Sequence, residues 1–232
     1  MRSLSLYIIT RKEGKEMSLQ LILGSSGSGK SYRLYHEIIE KSEKNRNTDY
    51  VVIVPEQFTM QTQKDLVEMH PRKGILNIDI LSFMRLAYRV FSEAGGENRP
   101  VLEDTGKSML VRKVMGQKQE ELVLFRPNVK KQGYISEVKS LLSEFLQYSI
   151  HEDTLEKMIE DTKKKPLLQR KLEDMQVIYQ GFRELIEEKY ITTEEVLDVL
   201  VDVLDQSEWV KKCVFCFDGF TGFTPAQYKV LT

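Results

Sequence analysis

The octapeptide GSSGSGKS at 24–31 restricts what this chain can fold into more than any other feature. It follows the short apolar run LQLIL (Leu19 to Leu23) and precedes a helical pattern, the strand–loop–helix setting that a phosphate-binding loop requires. Gly24, Gly29, Lys30 and Ser31 fill the fixed places of G-x-x-x-x-G-K-[ST]. The glycines let the backbone of Gly24, Ser25, Ser26, Gly27, Ser28 and Gly29 curl, so that successive N–H groups point inward at phosphate oxygens. A helix opening near Lys30 adds the positive end of its dipole. Lys30 is expected to reach the β and γ phosphates of a nucleoside triphosphate, with the Ser31 hydroxyl on Mg²⁺.

The pattern downstream of the loop alternates. Leu34, Ile38 and Ile39 recur at helical spacing and predict a helix over 30–44, after which YVVIVP gives a buried strand at Val51 to Val54 stopped by Pro55. A second helix is expected over 57–69, a short strand in ILNIDI after Gly74, and a third helix from LSFMRLAYRVF. Strand and helix in turn predict an α/β fold, a doubly wound parallel sheet of the P-loop type. From about Pro100 strand character vanishes for some hundred residues. Ile135, Val138, Leu142 and Phe145 mark one amphipathic helix; Leu168, Leu172, Met175, Tyr179, Phe182 and Ile186 mark a longer one after the KKK loop at 163–165. Strand character returns at CVFCFDGF (Cys213 to Phe220), followed by a helical start in TPAQYKVLT. The expected organisation is therefore a leader at 1–16 without structure and the first part of the sheet domain at 17–99. An all-helical insertion at 100–208 and a returning strand at 209–232 complete it. Met17 is the expected natural start, and the chain reads as cut from something longer.

Composition narrows the function classes. With 34 Lys and Arg against 35 Asp and Glu, the formal charge is −1, so no global basic field announces nucleic acid and any such contact has to be local. No apolar run approaches the length a membrane helix needs, and LSLYII is too short for a signal sequence, so a cytoplasmic protein without membrane contact is expected. The two cysteines, Cys213 and Cys216, fit a reducing compartment. Three residues apart on a strand they face opposite sides, which favours burial over a shared metal. No metal site built by the protein alone is expected from His36, His70 and His151, which lack ligand spacing.

A phosphate loop needs a second acidic strand end to hold Mg²⁺ through water, and VFCFD, ending at Asp218, offers one. Hydrolytic motors usually follow it with a glutamate that orients the attacking water. Here the next residue is Gly219.

The order phosphate loop, VPEQFTM, ILSFMRLAYRVF, helical insertion, VFCFDGFTGFTPAQ resembles the N-terminal part of the B subunit of the AddAB (RexAB) helicase-nuclease, from Met17 to Thr232. The resemblance implies a superfamily 1 helicase-like, RecA-like core with degraded motifs, and ATP with Mg²⁺ as ligands. It further implies single-stranded and duplex DNA and the A subunit as partners, and roles in double-strand break repair, end resection and scanning for Chi. Segments matching Gln57, Phe58 and Thr59 and Ser82, Phe83 and Arg85 lie over single-stranded DNA in active helicases, which makes these six residues candidates for a DNA surface. The family's nuclease domain and iron–sulfur cluster are expected only in the full-length protein, outside this chain. No catalytic residue is assigned within it.

Three other readings share the loop. A small-molecule kinase would need a compact arginine-bearing lid, and a guanine-nucleotide switch would need an N-K-x-D motif, which is missing from the sequence. A structural DNA-repair subunit with a vestigial loop stays open.

Overall fold

The computed structural model describes residues 5–9, 18–97 and 99–232. In chain order the strands are β1 (Ser5–Ile9), β2 (Ser18–Ile22), β3 (Tyr50–Ile53), β4 (Ile78–Leu81), β5 (Val101–Leu102), β6 (Ile191–Thr192) and β7 (Val214–Phe217). The helices are α1 (Lys30–Lys44), α2 (Thr59–Met69), α3 (Phe83–Ala94), α4 (Asp104–Gln117), α5 (Gln132–Gln147), α6 (Glu152–Asp161), α7 (Pro166–Ile186), α8 (Val196–Leu204), α9 (Glu208–Lys212) and α10 (Pro225–Leu231). The chain divides into two compact units, Met1–Gly96 with Val199–Phe223 and Glu97–Asp198 with Thr224–Thr232.

The first unit is α/β. Its sheet has the order β2-β1-β7-β3-β4, with β3 parallel to both β4 and β7. All four residues of β3 are buried, as expected of a β-branched strand covered on both faces. Alternation sorts them. Tyr50 and Val52, with Val54 just beyond the strand, join Ile22, Leu34, Ile38, Leu66 and Cys216 in a core beneath α1 and α2. On the opposite face Phe217 meets Phe83 of α3, so helices cover both sides. The helix α1 follows from its sequence: Leu34, Ile38 and Ile39 form the buried stripe, and Lys41 and Lys44 in the last turn complement the negative end of the dipole. Glu93 of α3 caps α9, accepting from the Ser207 hydroxyl and from the backbone N–H groups of Glu208 and Trp209.

Several expectations need correction. Residues 5–9, expected to lack structure, form β1, which pairs antiparallel with β2 on one side and β7 on the other. The run SLYII, rich in aromatic and β-branched residues, suffices for a strand once two strand edges flank it. The rest of the leader at 1–4 and 10–16, with Met17, lies outside the described residues. The sheet is consequently not purely parallel. Leu168, placed in the apolar stripe of α7, is 39% exposed, and the buried stripe begins at Leu172. The first helical turn after Pro166 simply projects its leucines outward.

The second unit is helical apart from the two-stranded β5–β6 ribbon, which corrects the expectation of an all-helical insertion at 100–208. Val111, Met115, Ile135, Leu142, Met175 and Phe182 are among the residues of one apolar core shared by α4, α5 and α7. Two charged groups sit inside it. Asp174 of α7 is buried and accepts hydrogen bonds from the backbone N–H groups of Val123, Leu124 and Phe125, at 2.8, 2.8 and 2.7 Å. Lys107 of α4, fully buried, donates to Glu194, Ser143 and Thr193. The chain returns to the sheet unit at Val199, inside α8, whereas the helical pattern of the sequence runs on to 208.

Candidate nucleotide site

The strand β2 ends at Ile22 and α1 starts at Lys30, so the loop occupies the turn that its composition demands. Gly27 and Gly29 have φ of 75° and 80°, a left-handed backbone that glycine adopts without strain, and between them the Ser28 N–H donates to the Ser25 carbonyl at 3.3 Å. Gly24 approaches Ser28 so closely that a Cβ on it would meet the Ser28 hydroxyl at 2.4 Å. The Lys30 side chain curls back inside the loop and donates to the Ser25 carbonyl at 2.8 Å, leaving the residue 8% exposed. Ser31 follows in the first turn of α1, half-buried.

Asp218 stands one residue beyond β7, where its backbone N–H donates to the Ile53 carbonyl. Because β1 runs antiparallel to both β2 and β7, those two strands point the same way. The loop at 24–31 and Asp218 therefore lie at the same end of the sheet, past the carboxyl ends of β2 and β7, the end at which open α/β sheets bind ligands. Two strand spacings separate β2 from β7, about 10 Å. The carboxylate is 4% exposed and accepts from the Tyr35 hydroxyl at 2.9 Å. Tyr35 lies four residues after Ser31, on the same face of α1. That hydroxyl also stands 3.4 Å from Thr62 Oγ1 of α2. Burial, reinforced by the Asp218 charge, pushes the Tyr35 phenol well above its ordinary value of 10, so it stays protonated and remains a donor. Tyr35 and Thr62 were not legible as site residues. The only signal was a hydroxyl at a position of α1 whose neighbours in the stripe are apolar.

Gly219 has φ of 78°, and a Cβ built on it would lie 3.5 Å from Pro55 Cδ and 3.6 Å from the Phe58 ring. The absent glutamate is thus matched by a left-handed backbone that disfavours any side chain.

The six DNA-surface candidates separate by their surroundings. Gln57 and Phe58 are exposed, Phe58 at 46%, and Arg85 reaches out to donate to Glu56 at 3.1 Å. Thr59 is buried and donates to the Glu56 carbonyl, and Ser82 caps α3 by accepting from the Arg85 N–H. Phe83 is buried among Phe217, Phe220 and Phe223. Cys213 and Cys216 are both buried thiols, and burial pushes that of Cys213 up to about 12, far from a reactive thiolate. Among the described residues no helix is long and apolar enough to cross a membrane.

This arrangement can be set beside known proteins. The chain is 59% identical over 216 residues to the B subunit of the ATP-dependent helicase/deoxyribonuclease from Lachnoclostridium phytofermentans, covering 93% of this chain and 19% of that protein. Proteins of the same name from Thermoanaerobacter sp. (strain X514) and Clostridium tetani are 37% and 35% identical over 215 and 217 residues, each covering 93% of this chain and 19% of the relative. The chain spans about a fifth of the length of these relatives. The model of the family described as "ADDB, N-terminal" matches residues 21–232, from inside β2 through α10, and the chain belongs to that family.

Proposed function

We propose that the sheet unit is a RecA-like, phosphate-loop module that binds ATP with Mg²⁺ and turns it over very slowly. It would serve in the B subunit of an AddAB-type helicase-nuclease acting on DNA ends in double-strand break repair. One observation carries the reading: a loop with left-handed Gly27 and Gly29, closed by Lys30, lies at the same end of the sheet as the buried carboxylate of Asp218. The donor chemistry fits. The loop backbone would take the phosphate oxygens, Lys30 would release the Ser25 carbonyl to meet the β and γ phosphates, and Ser31 and Asp218 would hold Mg²⁺. When bound, the metal supplies neutralisation of phosphate charge. Gly219 offers no group to orient an attacking water, and arginine fingers from a second core, worth roughly 10³ to 10⁵ in rate, would have to come from outside this unit. Affinity is a ground-state property and need not suffer from either loss.

Single-stranded DNA would contact Gln57, Phe58 and Arg85, the candidates at the surface, through ring stacking and phosphate pairing. Thr59, Ser82 and Phe83 would act by holding those segments in place. With a net charge of −1, counterion release is small and affinity for DNA should be weak in this chain alone. The relatives are each named as the B member of their enzyme, which supports a place beside an A subunit. The cytoplasm is the proposed location. The nuclease domain and iron–sulfur cluster would belong to the longer protein.

A vestigial loop in a structural subunit is the second reading, favoured by the way Lys30 is already satisfied by Ser25. ATP binding and turnover, measured side by side with and without single-stranded DNA, decide between them. Binding with negligible turnover is expected, and Lys30→Ala should abolish binding while leaving the circular dichroism spectrum unchanged. Turnover at helicase-like rates, or equal binding by the Lys30→Ala variant, would overturn the proposal.

A further inference from the structure

The geometry points to Tyr35 as a positioning residue for the metal-side carboxylate, fixing Asp218 through a buried hydroxyl chain that starts at Thr62. A phenol has one proton to give, and the 2.9 Å bond commits it to Asp218 Oδ2, so at the 3.4 Å contact Thr62 is the donor and Tyr35 the acceptor. The chain Thr62 to Tyr35 to Asp218 thus runs in one direction and links α2, α1 and the end of β7. All three residues are buried, Thr62 at 5%, Tyr35 at 5% and Asp218 at 4% exposure, so water does not compete for these bonds. The Tyr35 ring is wedged in the core with Leu34, Ile38 and Val52, which leaves its hydroxyl little freedom. A carboxylate gripped at Oδ2 cannot rotate freely about its Cβ–Cγ bond, and its orientation toward a hydrated cation is set beforehand. Outer partners of direct metal ligands govern affinity by about 10 to 100-fold when removed, and with water between Asp218 and the cation the effect of Tyr35 should fall at the low end of that range.

The same helix carries both ends of the arrangement. Ser31 and Tyr35 are one turn apart on α1, so the hydroxyl expected on the cation and the hydroxyl that grips the opposing carboxylate move as one body. This inference rests on the reading of Asp218 as the carboxylate that faces Mg²⁺, and it adds that α1 sets where that carboxylate points.

The experiment measures ATP affinity of the 232-residue chain calorimetrically in Mg²⁺ and in EDTA, for the parent, Tyr35→Phe, Thr62→Val and Asp218→Asn, with each variant's melting temperature recorded. Tyr35→Phe should leave the EDTA affinity unchanged and reduce the Mg²⁺-dependent gain by about 10-fold, approaching Asp218→Asn. Thr62→Val, which keeps the ring and its hydroxyl, should produce a smaller loss of the same kind. A merely structural role would lower the melting temperature of these variants without altering the Mg²⁺-dependent gain, and that result overturns the inference. If Tyr35→Phe does not fold, Thr62→Val decides in the same way. Failure of the underlying reading looks different: the parent would not bind ATP, or Asp218→Asn would retain the full Mg²⁺-dependent gain.

Discussion

Single residues set the limits of the proposed nucleotide site. Gly219 is the position where local backbone geometry and chemistry coincide, because its φ of 78° is one that L side chains adopt at a cost of roughly 1–2 kcal/mol. Gly219→Ala should lower the stability of the sheet unit by about that amount, read as a shift in the urea midpoint without a change in slope. The neighbouring atoms of Pro55 and Phe58 sit at ordinary contact distance, so the loss should come from the backbone and not from crowding. A larger loss would mean that Phe58 cannot yield. The loop at 24–31 could be placed between a strand and a helix from residues alone because its glycines, Lys30 and Ser31 lie within eight consecutive positions. Asp218 was legible as a strand end, but its grip by Tyr35 joins residues 183 positions apart, and no local pattern reveals such a pair.

Elements in the helical unit depend on carboxylates in unusual settings. Asp174 lets α7 hold the 123–125 turn by three backbone N–H groups, and Asp174→Ala would leave those donors unsatisfied in a dry interior. An unmade buried bond costs about 1–3 kcal/mol, so a loss of at least about 3 kcal/mol is expected in denaturant titrations followed by circular dichroism. Glu195 offers a pH test. Burial pushes its carboxyl up, but the Thr192 backbone N–H, the Arg183 guanidinium and the Thr192 hydroxyl outweigh burial and bring it below the ordinary 4.5. A depressed acid contributes stability above its unfolded value and loses it as pH falls through the folded one. Stability should thus decline below about pH 4.5, and Glu195→Gln should flatten that part of the profile. The amphipathic helices over 132–147 and 166–186 could be read from spacing. Buried Asp174 and Lys107 could not, since a charged residue inside an apolar stripe reads as surface until its partners are located. The strand β1 escaped for a related reason: the pairing edges that order it come from β2 and β7, far apart in sequence.

At the scale of the whole chain, the only tryptophan provides a separate view of each unit. Trp209 belongs to the sheet unit, beneath the Arg89 guanidinium and edge-on to Phe215. Its fluorescence should follow that unit's unfolding, while circular dichroism weights the helical unit. ATP with Mg²⁺ at 100 times its dissociation constant should stabilise the tryptophan-reported transition by about 2.7 kcal/mol. The Asp174→Ala variant should move mainly the other signal. Coincident shifts in both would mean that the units unfold as one cooperative body. The turn after Asp218 also has an evolutionary meaning. One base change converts the glycine codons GGA and GGG to glutamate codons, so a hydrolytic group at such a position would be a single step away. At Gly219 that step lands on a left-handed backbone, and the new carboxylate would begin strained and out of position. If the proposed lack of turnover holds, gaining a hydrolytic group here would require the turn to be rebuilt along with the residue, so that the change would behave as a ratchet.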